Sequence, residues 1–269
     1  MKTAYLSGLL LNGMIGGKAG EGLRPILGSR RYMSATDMNH TEVKEMIASD
    51  SHVLAPSESV LLNGDRFAQK AVLANVDLLH IEAKVSAADL GRAILSVAFL
   101  SSEQAGALRL EARSKKAFLG LASVKALYAE PTAAQAPWPD STIEGRISQL
   151  AEQWQRNKGQ NEVSNIVYSL LGEDSVNPWQ HFTAMLKAMM ASRGILQATE
   201  ERKLKIFTST RYALPAGEGI PPQPAEPLLQ LLAACERDRP EIWKLLQTQI
   251  KHAIRQRTER STDTDFDNN

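Results

Sequence analysis

Apolar residues recur with the period of a helix in several parts of the chain. Over residues 87–100, Leu90, Ile94, Leu95, Ala98 and Phe99 return at three- and four-residue steps, which predicts a largely buried helix. Residues 142–154 place Ile143, Ile147, Leu150, Ala151 and Trp154 on one stripe, and residues 180–192 do the same with Phe182, Met185, Leu186 and Met189. Both read as amphipathic helices. After Pro227, LLQLLAACERDRPEIWKLLQTQIKHAI predicts two short helices, the second starting near Pro240, where a missing N–H costs nothing.

Two stretches switch to alternation. Residues 106–131 (GALRLEARSKKAFLGLASVKALYAEP) and 194–215 (GILQATEERKLKIFTSTRYALP) have the same order of parts. A helix stops at glycine, a short alternating run follows, a charged turn intervenes, and a second run ends in Tyr and then Pro, as a β-hairpin would. The expected fold is therefore mainly α: a compact helical domain with two β-hairpins, each following a helix. Helix then hairpin is also the closing half of a winged helix, which makes nucleic-acid binding one reading.

Prolines and charge divide the chain. Residues 1–50 read as a basic N-terminal extension, whose first 35 residues hold Lys2, Lys18, Arg24, Arg30 and Arg31 against Glu21. Its apolar run AYLSGLLL is too short for a bilayer, which needs roughly 20 residues, and the NGMIGGKAGEG that follows lacks a small-residue cleavage site. Such an arm suits an anionic membrane, an organelle-targeting segment or a cover for a hydrophobic edge. Residues 51–215 form the expected helical core. Residues 216–269 read as a Pro-rich linker that separates short C-terminal helices from the body, and a frayed tail, STDTDFDNN.

Composition narrows the function. With 269 residues and 43% hydrophobic content the chain buries a substantial core, which excludes disorder throughout. Lys and Arg total 31 against 30 Asp and Glu, so an anionic partner has to be met by a local patch. No catalytic residue, metal or cofactor is expected. Cys235 sits in an apolar LLAAC context, and His40, His52, His80, His181 and His252 have no metal-binding spacing. Gly16-Gly17-Lys18-Ala19 fails as a phosphate loop, because Asn12 stands where Gly is required and Ala19 where Ser or Thr is.

The best anion-binding candidate is the second hairpin, where Arg202, Lys203 and Lys205 surround the turn, Ile206 and Phe207 follow, and Arg211 lies on the return run. Cations beside apolar groups suit an interfacial anchor, with about 1 kcal/mol from each cation near the surface. An ordinary solvated turn is the alternative. Arg113, Lys115 and Lys116 beside Phe118 and Leu119 are a weaker version in the first hairpin. Lys244, Lys251 and Arg255 fall near one helical face, with His252, Arg257 and Arg260 close by, and read as a solvated helix end.

Taken in order, AILSVAFL, GALRLEAR and VKALYAEPT resemble the helix, strand and hairpin of the Golgi phosphoprotein 3 family. VSNIVYSLLGEDSVNPW is similar to that family's helix, Gly-acidic turn and Asn-Pro helix start, and RGILQATEERKLKIFTSTRYALP to its closing hairpin. The resemblance spans about residues 87–215. It implies a mostly helical, non-catalytic peripheral membrane protein that docks on phosphatidylinositol 4-phosphate, uses its hairpin for membrane contact or self-association, and serves as an adaptor for protein partners. The family's lipid pocket uses a Trp, an Arg opening the first core helix and an arginine pair on the helix before the hairpin. Here Arg92, in Leu90-Gly91-Arg92-Ala93, lies one place out of register, no Trp precedes it, and the pair falls on Gln180 and Thr183, leaving Lys187 as that helix's cation.

The expectations are anionic-lipid binding by Arg92, Lys187, Arg202, Lys203, Lys205 and Arg211, and membrane contact or oligomerisation through Ile206 and Phe207. The expected location is cytoplasmic and peripheral to a membrane. Two other readings compete: a winged-helix nucleic-acid-binding protein, against which the near-neutral charge argues, and a protein-only scaffold that has lost the lipid site.

Overall fold

The computed structural model describes residues 54–117, 122–157, 159–203, 207–215 and 224–264. Among them are eight helices and three two-stranded antiparallel sheets, so the chain is mainly α with β-hairpins. The N-terminal extension lies outside the described residues.

Pro56 sets the first turn of α1 (Pro56–Leu62), and the Glu58 carboxylate accepts a hydrogen bond from Ala55 N at 2.8 Å. After the short α2 (Gly64–Phe67), β1 (Asn75–Asp77) and β2 (Lys84–Ser86) form a small ribbon. Ser86 then caps α3 (Ala87–Gln104), its hydroxyl accepting from Asp89 N at 3.2 Å. This helix is the centre of the molecule. Leu90, Ile94, Leu95, Val97, Ala98 and Phe99 are all fully buried, because α1 and four helices from later in the chain pack around it.

The first hairpin pairs β3 (Leu108–Ala117) with β4 (Ala122–Pro131). Thr142 caps α4 (Ile143–Arg156), α5 (Val163–Leu171) ends at Gly172, and α6 (Pro178–Ser192) leads into the second hairpin, β5 (Gln197–Lys203) with β6 (Phe207–Ala213). α7 (Glu226–Asp238) and α8 (Pro240–Thr264) close the chain. Gly106 and Gly194, at which the sequence stops the helices before the hairpins, adopt φ of +75° and +76°, where a side chain would be strained.

Two expectations are corrected. Most of the charged hairpin residues lie within strands and not in turns: register pairs Ala117 with Ala122 and Lys203 with Phe207, so Arg113–Lys116 belong to β3 and Glu200–Lys203 to β5, while Lys205 lies outside the described residues. The C-terminal helices are neither short nor apart from the body. α8 runs for 25 residues and sends Leu246, Ile250, Ala253 and Ile254 into the core. Residues 56–86 also hold four elements where no periodicity was legible, because each is too short to repeat its pattern.

α8 also closes an open strand edge. The Gln249 amide donates to Leu127 O at 3.0 Å and accepts from Leu127 N at 2.9 Å. Two residues on, Asn161 O accepts from Ala129 N at 3.0 Å and its Nδ2 donates to Ala129 O at 2.9 Å. Side chains and loop backbone thus satisfy the edge of β4 that faces away from β3.

Candidate functional site

Lys187 and Arg211 lie 24 positions apart in the sequence and line one cleft of about 500 Å3. α6 delivers the first. Phe182, Leu186 and Met190 bury its inner face, which leaves Lys187, next to Leu186, half-buried at the border. Its Nζ donates to Asp77 O on β1 at 3.0 Å. Burial holds its ammonium below the ordinary lysine range, and the nearby Asp77 charge acts in the opposite direction.

Arg211 comes from β6, opposite Thr199 in the ribbon. Its Nη1 reaches Glu201 Oε1 at only 3.4 Å, and the guanidinium side chain is 74% exposed. Such a pair contributes little and is readily exchanged for another anion. Ser209, Thr210 and Tyr212 add hydroxyls to the walls and Leu78 and Leu79 an apolar side. Two cations, three hydroxyls and an opening to solvent could meet a phosphate ester, but the lining also holds the carboxylates of Asp77 and Glu201, so an anion has to displace Glu201 from Arg211 and lie beside Asp77.

The remaining predicted residues are distributed elsewhere. Arg92 does not join Lys187. It lines a separate cleft of about 560 Å3 between α3, α7 and α8, where it donates to the Asp89 carboxylate and to Ala88 O at 3.3 Å. Arg66 shares that cleft with Glu236, so its two guanidinium groups are matched by two carboxylates. Arg202, Lys203 and Phe207 have their backbones in the second hairpin, and their side chains, with all of Lys205 and Ile206, lie outside the described residues.

The positions that the resemblance assigns to a headgroup are neutral. Gln180 Nε2 donates to Asn75 O at 2.9 Å, and Thr183 is buried with its hydroxyl on Gln180 O at 2.9 Å. A Trp does stand there, brought from α6 instead of from the chain before α3. A Cβ on Gly91 would fall 2.5 Å from Cε3 of Trp179, so glycine is what lets that ring lie on α3. Trp179, Gln180, Ser86, Leu73 and Val176 line a pocket of about 260 Å3 with no cation among its lining residues. From Gln180 to Lys187 is seven residues, or about 10 Å along the helix, which is how far the positive charge stands from that pocket.

Arg113, Lys115 and Arg257, from the other basic stretches, are engaged structurally. Arg113 lies over the Tyr128 ring at 5.2 Å and pairs with Glu111 and Glu130, each at 2.5 Å. Lys115 reaches both oxygens of Glu162, at 2.8 and 2.6 Å. Arg257 stacks on Tyr168 at 3.7 Å and bonds Asp174 at 2.8 Å. Lys244, Lys251 and Arg255 are exposed on α8.

One cluster had no sequence signal. Glu144 is fully buried and accepts from Ser57 N at 2.7 Å and Ser57 Oγ at 2.9 Å. Burial pushes its carboxyl up to about 7, with the neighbouring Glu58 charge adding to the rise. Glu58 is raised by burial too, although Ala55 N and Arg193, at 2.5 Å, draw it down. The cluster ties α1 to α4 and α6, but none of these groups lines a cleft described above.

Among the described residues there is no group of three or more His, Cys, Asp or Glu side chains placed to hold a metal ion. No helix there is long and apolar enough to cross a membrane. Comparison of the chain with protein-family models, curated proteins and solved structures finds no match.

Proposed function

We propose that this chain is a non-catalytic peripheral membrane protein that binds the anionic headgroups of a lipid surface and serves there as an adaptor. The observation that carries the reading is the convergence of Lys187 and Arg211 on one open cleft at the base of the second hairpin. Arg202, Lys203 and Lys205 belong to the same hairpin in the sequence, and with Lys187 and Arg211 they outnumber Asp77, Glu200 and Glu201, an excess of positive charge on a chain of net charge +1. Phosphatidylinositol 4-phosphate is the headgroup that the family resemblance suggests, read here with the charge relocated along α6.

The test is co-sedimentation of the full chain with phosphatidylcholine vesicles, alone or carrying phosphatidylserine or phosphatidylinositol 4-phosphate. Binding to either anionic vesicle and not to phosphatidylcholine alone is the expected result, and a preference for the phosphoinositide identifies the headgroup. Absence from every pellet removes the lipid reading and leaves the scaffold.

A second reading rests on the repeated order of α3 with the first hairpin and α6 with the second, each helix ending at glycine, as in two winged-helix halves. It predicts duplex DNA affinity that falls steeply with salt. No mobility shift at low ionic strength eliminates it.

A further inference from the structure

We infer that the apolar loop at Val72 and Leu73, joined by Val176, is a second membrane-contacting element that enters the acyl boundary of the lipid surface. The inference rests on the lipid reading proposed above. Val72 is 90% exposed, Leu73 85% and Val176 68%, and these are three of the five large hydrophobic side chains exposed among the described residues. Leu73 and Val176 border the same pocket, which Trp179 lines from α6.

The loop is held outward by its own hydrogen bonds. Asn75 Nδ2 donates to Val72 O at 2.6 Å and to Ala71 O at 3.4 Å, while Ala74 O accepts from Ala87 N at 3.0 Å at the start of α3. Ala74 has φ of +47°, the one positive φ of a residue other than glycine among those described. A strained backbone that is fixed at both ends and presents two aliphatic side chains to water costs free energy without contributing to the core.

A lipid surface fits this patch better than a protein. Three aliphatic side chains fall far short of the roughly 800 Å2 per partner that a stable protein interface needs. A lipid surface needs only a small apolar insertion joined to cations at headgroup level. Lys70 precedes the loop and is exposed, and Thr258 in the pocket wall brings α8 alongside, with Lys251 exposed on a preceding turn. Of the two carboxylates before Val176, Asp174 is neutralised by Arg257, which leaves Glu173 as the opposing charge.

The loop and the cleft of Lys187 and Arg211 also share one flank of α6. β1 runs along it, tied by Gln180 to Asn75 O at 2.9 Å near the loop and by Lys187 to Asp77 O at 3.0 Å near the cleft. Apolar insertion and headgroup contact are thus about 10 Å apart on the same side.

The experiment places a polarity-sensitive fluorophore at Leu73→Cys in a Cys235→Ala background, the native thiol being buried. The full chain is then sedimented with phosphatidylcholine vesicles carrying phosphatidylserine or phosphatidylinositol 4-phosphate. The expected result is pelleting together with a blue shift and quenching by acyl-chain quenchers. Pelleting with a label that still reports water overturns the loop's role and leaves the lipid reading standing, whereas no pelleting overturns both. A blue shift without vesicles means that a second copy or another segment covers the loop, and overturns the inference. The Val72→Asp, Leu73→Asp double variant, altered only at exposed positions, is expected to lower vesicle partitioning about tenfold with the cleft intact; undiminished partitioning overturns the inference.

Discussion

Glu144 sits in the core with hydroxyl and amide donors around it and a second carboxylate, Glu58, nearby, while the guanidinium of Arg193 is spent on Glu58. The folded protein therefore takes up a proton on Glu144 at a pH where the unfolded chain has already lost it. The contribution of Glu144 to stability is fully present below the ordinary carboxylate value of 4.5, declines as pH rises from there towards about 7, and levels off above. The whole window is worth about 3 kcal/mol. Glu144→Gln, which mimics the protonated form, should flatten the difference in denaturation midpoint between about pH 5 and pH 8. An unchanged difference would show that Glu144 is already ionised in the fold. At the cleft, Lys187→Glu with Arg211→Glu is expected to reduce vesicle binding at least tenfold with an unaltered circular dichroism spectrum, since about 1 kcal/mol per cation is lost and two repulsive charges are added. Equal binding would move the headgroup site away from the cleft. Arg92→Glu should matter much less, because its guanidinium is already held by Asp89.

The hairpins and their glycine stops are elements whose signals are local, and alternation together with Gly106 and Gly194 made both legible. Strand length was not, because it depends on pairing across the ribbon: charged residues expected in turns became strand positions once ten residues of β3 found partners on β4. α8 reads as a short amphipathic tail in isolation, and packing against α5 and the first hairpin makes it a core helix. Gln249 shows why. A glutamine on an apolar face reads as solvent-facing, yet its amide replaces the strand that β4 lacks on its outer edge. Gln249→Leu should cost between about 2 and 4 kcal/mol, because it leaves both Leu127 backbone groups without a partner in the core. In hydrogen exchange, the Leu127 amide should lose protection before its neighbours within β4; retained protection would mean that water replaces the side chain.

For the whole molecule, a net charge of +1 gives no long-range field, so attraction to an anionic surface has to be local. Raising salt from about 0.05 M to about 0.2 M shortens the screening length from about 14 to about 7 Å. Vesicle binding should weaken several-fold and not vanish, because the loop's apolar contribution is insensitive to salt; complete loss in sedimentation would assign all the affinity to charge. The mainly α character, the two hairpins, their glycine stops and the want of a strong global field are legible along the chain, since periodicity, φ preference and charge sums are properties of neighbouring residues or of the whole count. That Lys187 meets Arg211 while Arg92 is held apart, that Trp179 reaches α3, and that Glu144 is buried beside Glu58 follow from packing in three dimensions. Those outcomes depend on which helix faces pack together, and packing joins residues whose separation in sequence carries no trace of their separation in space.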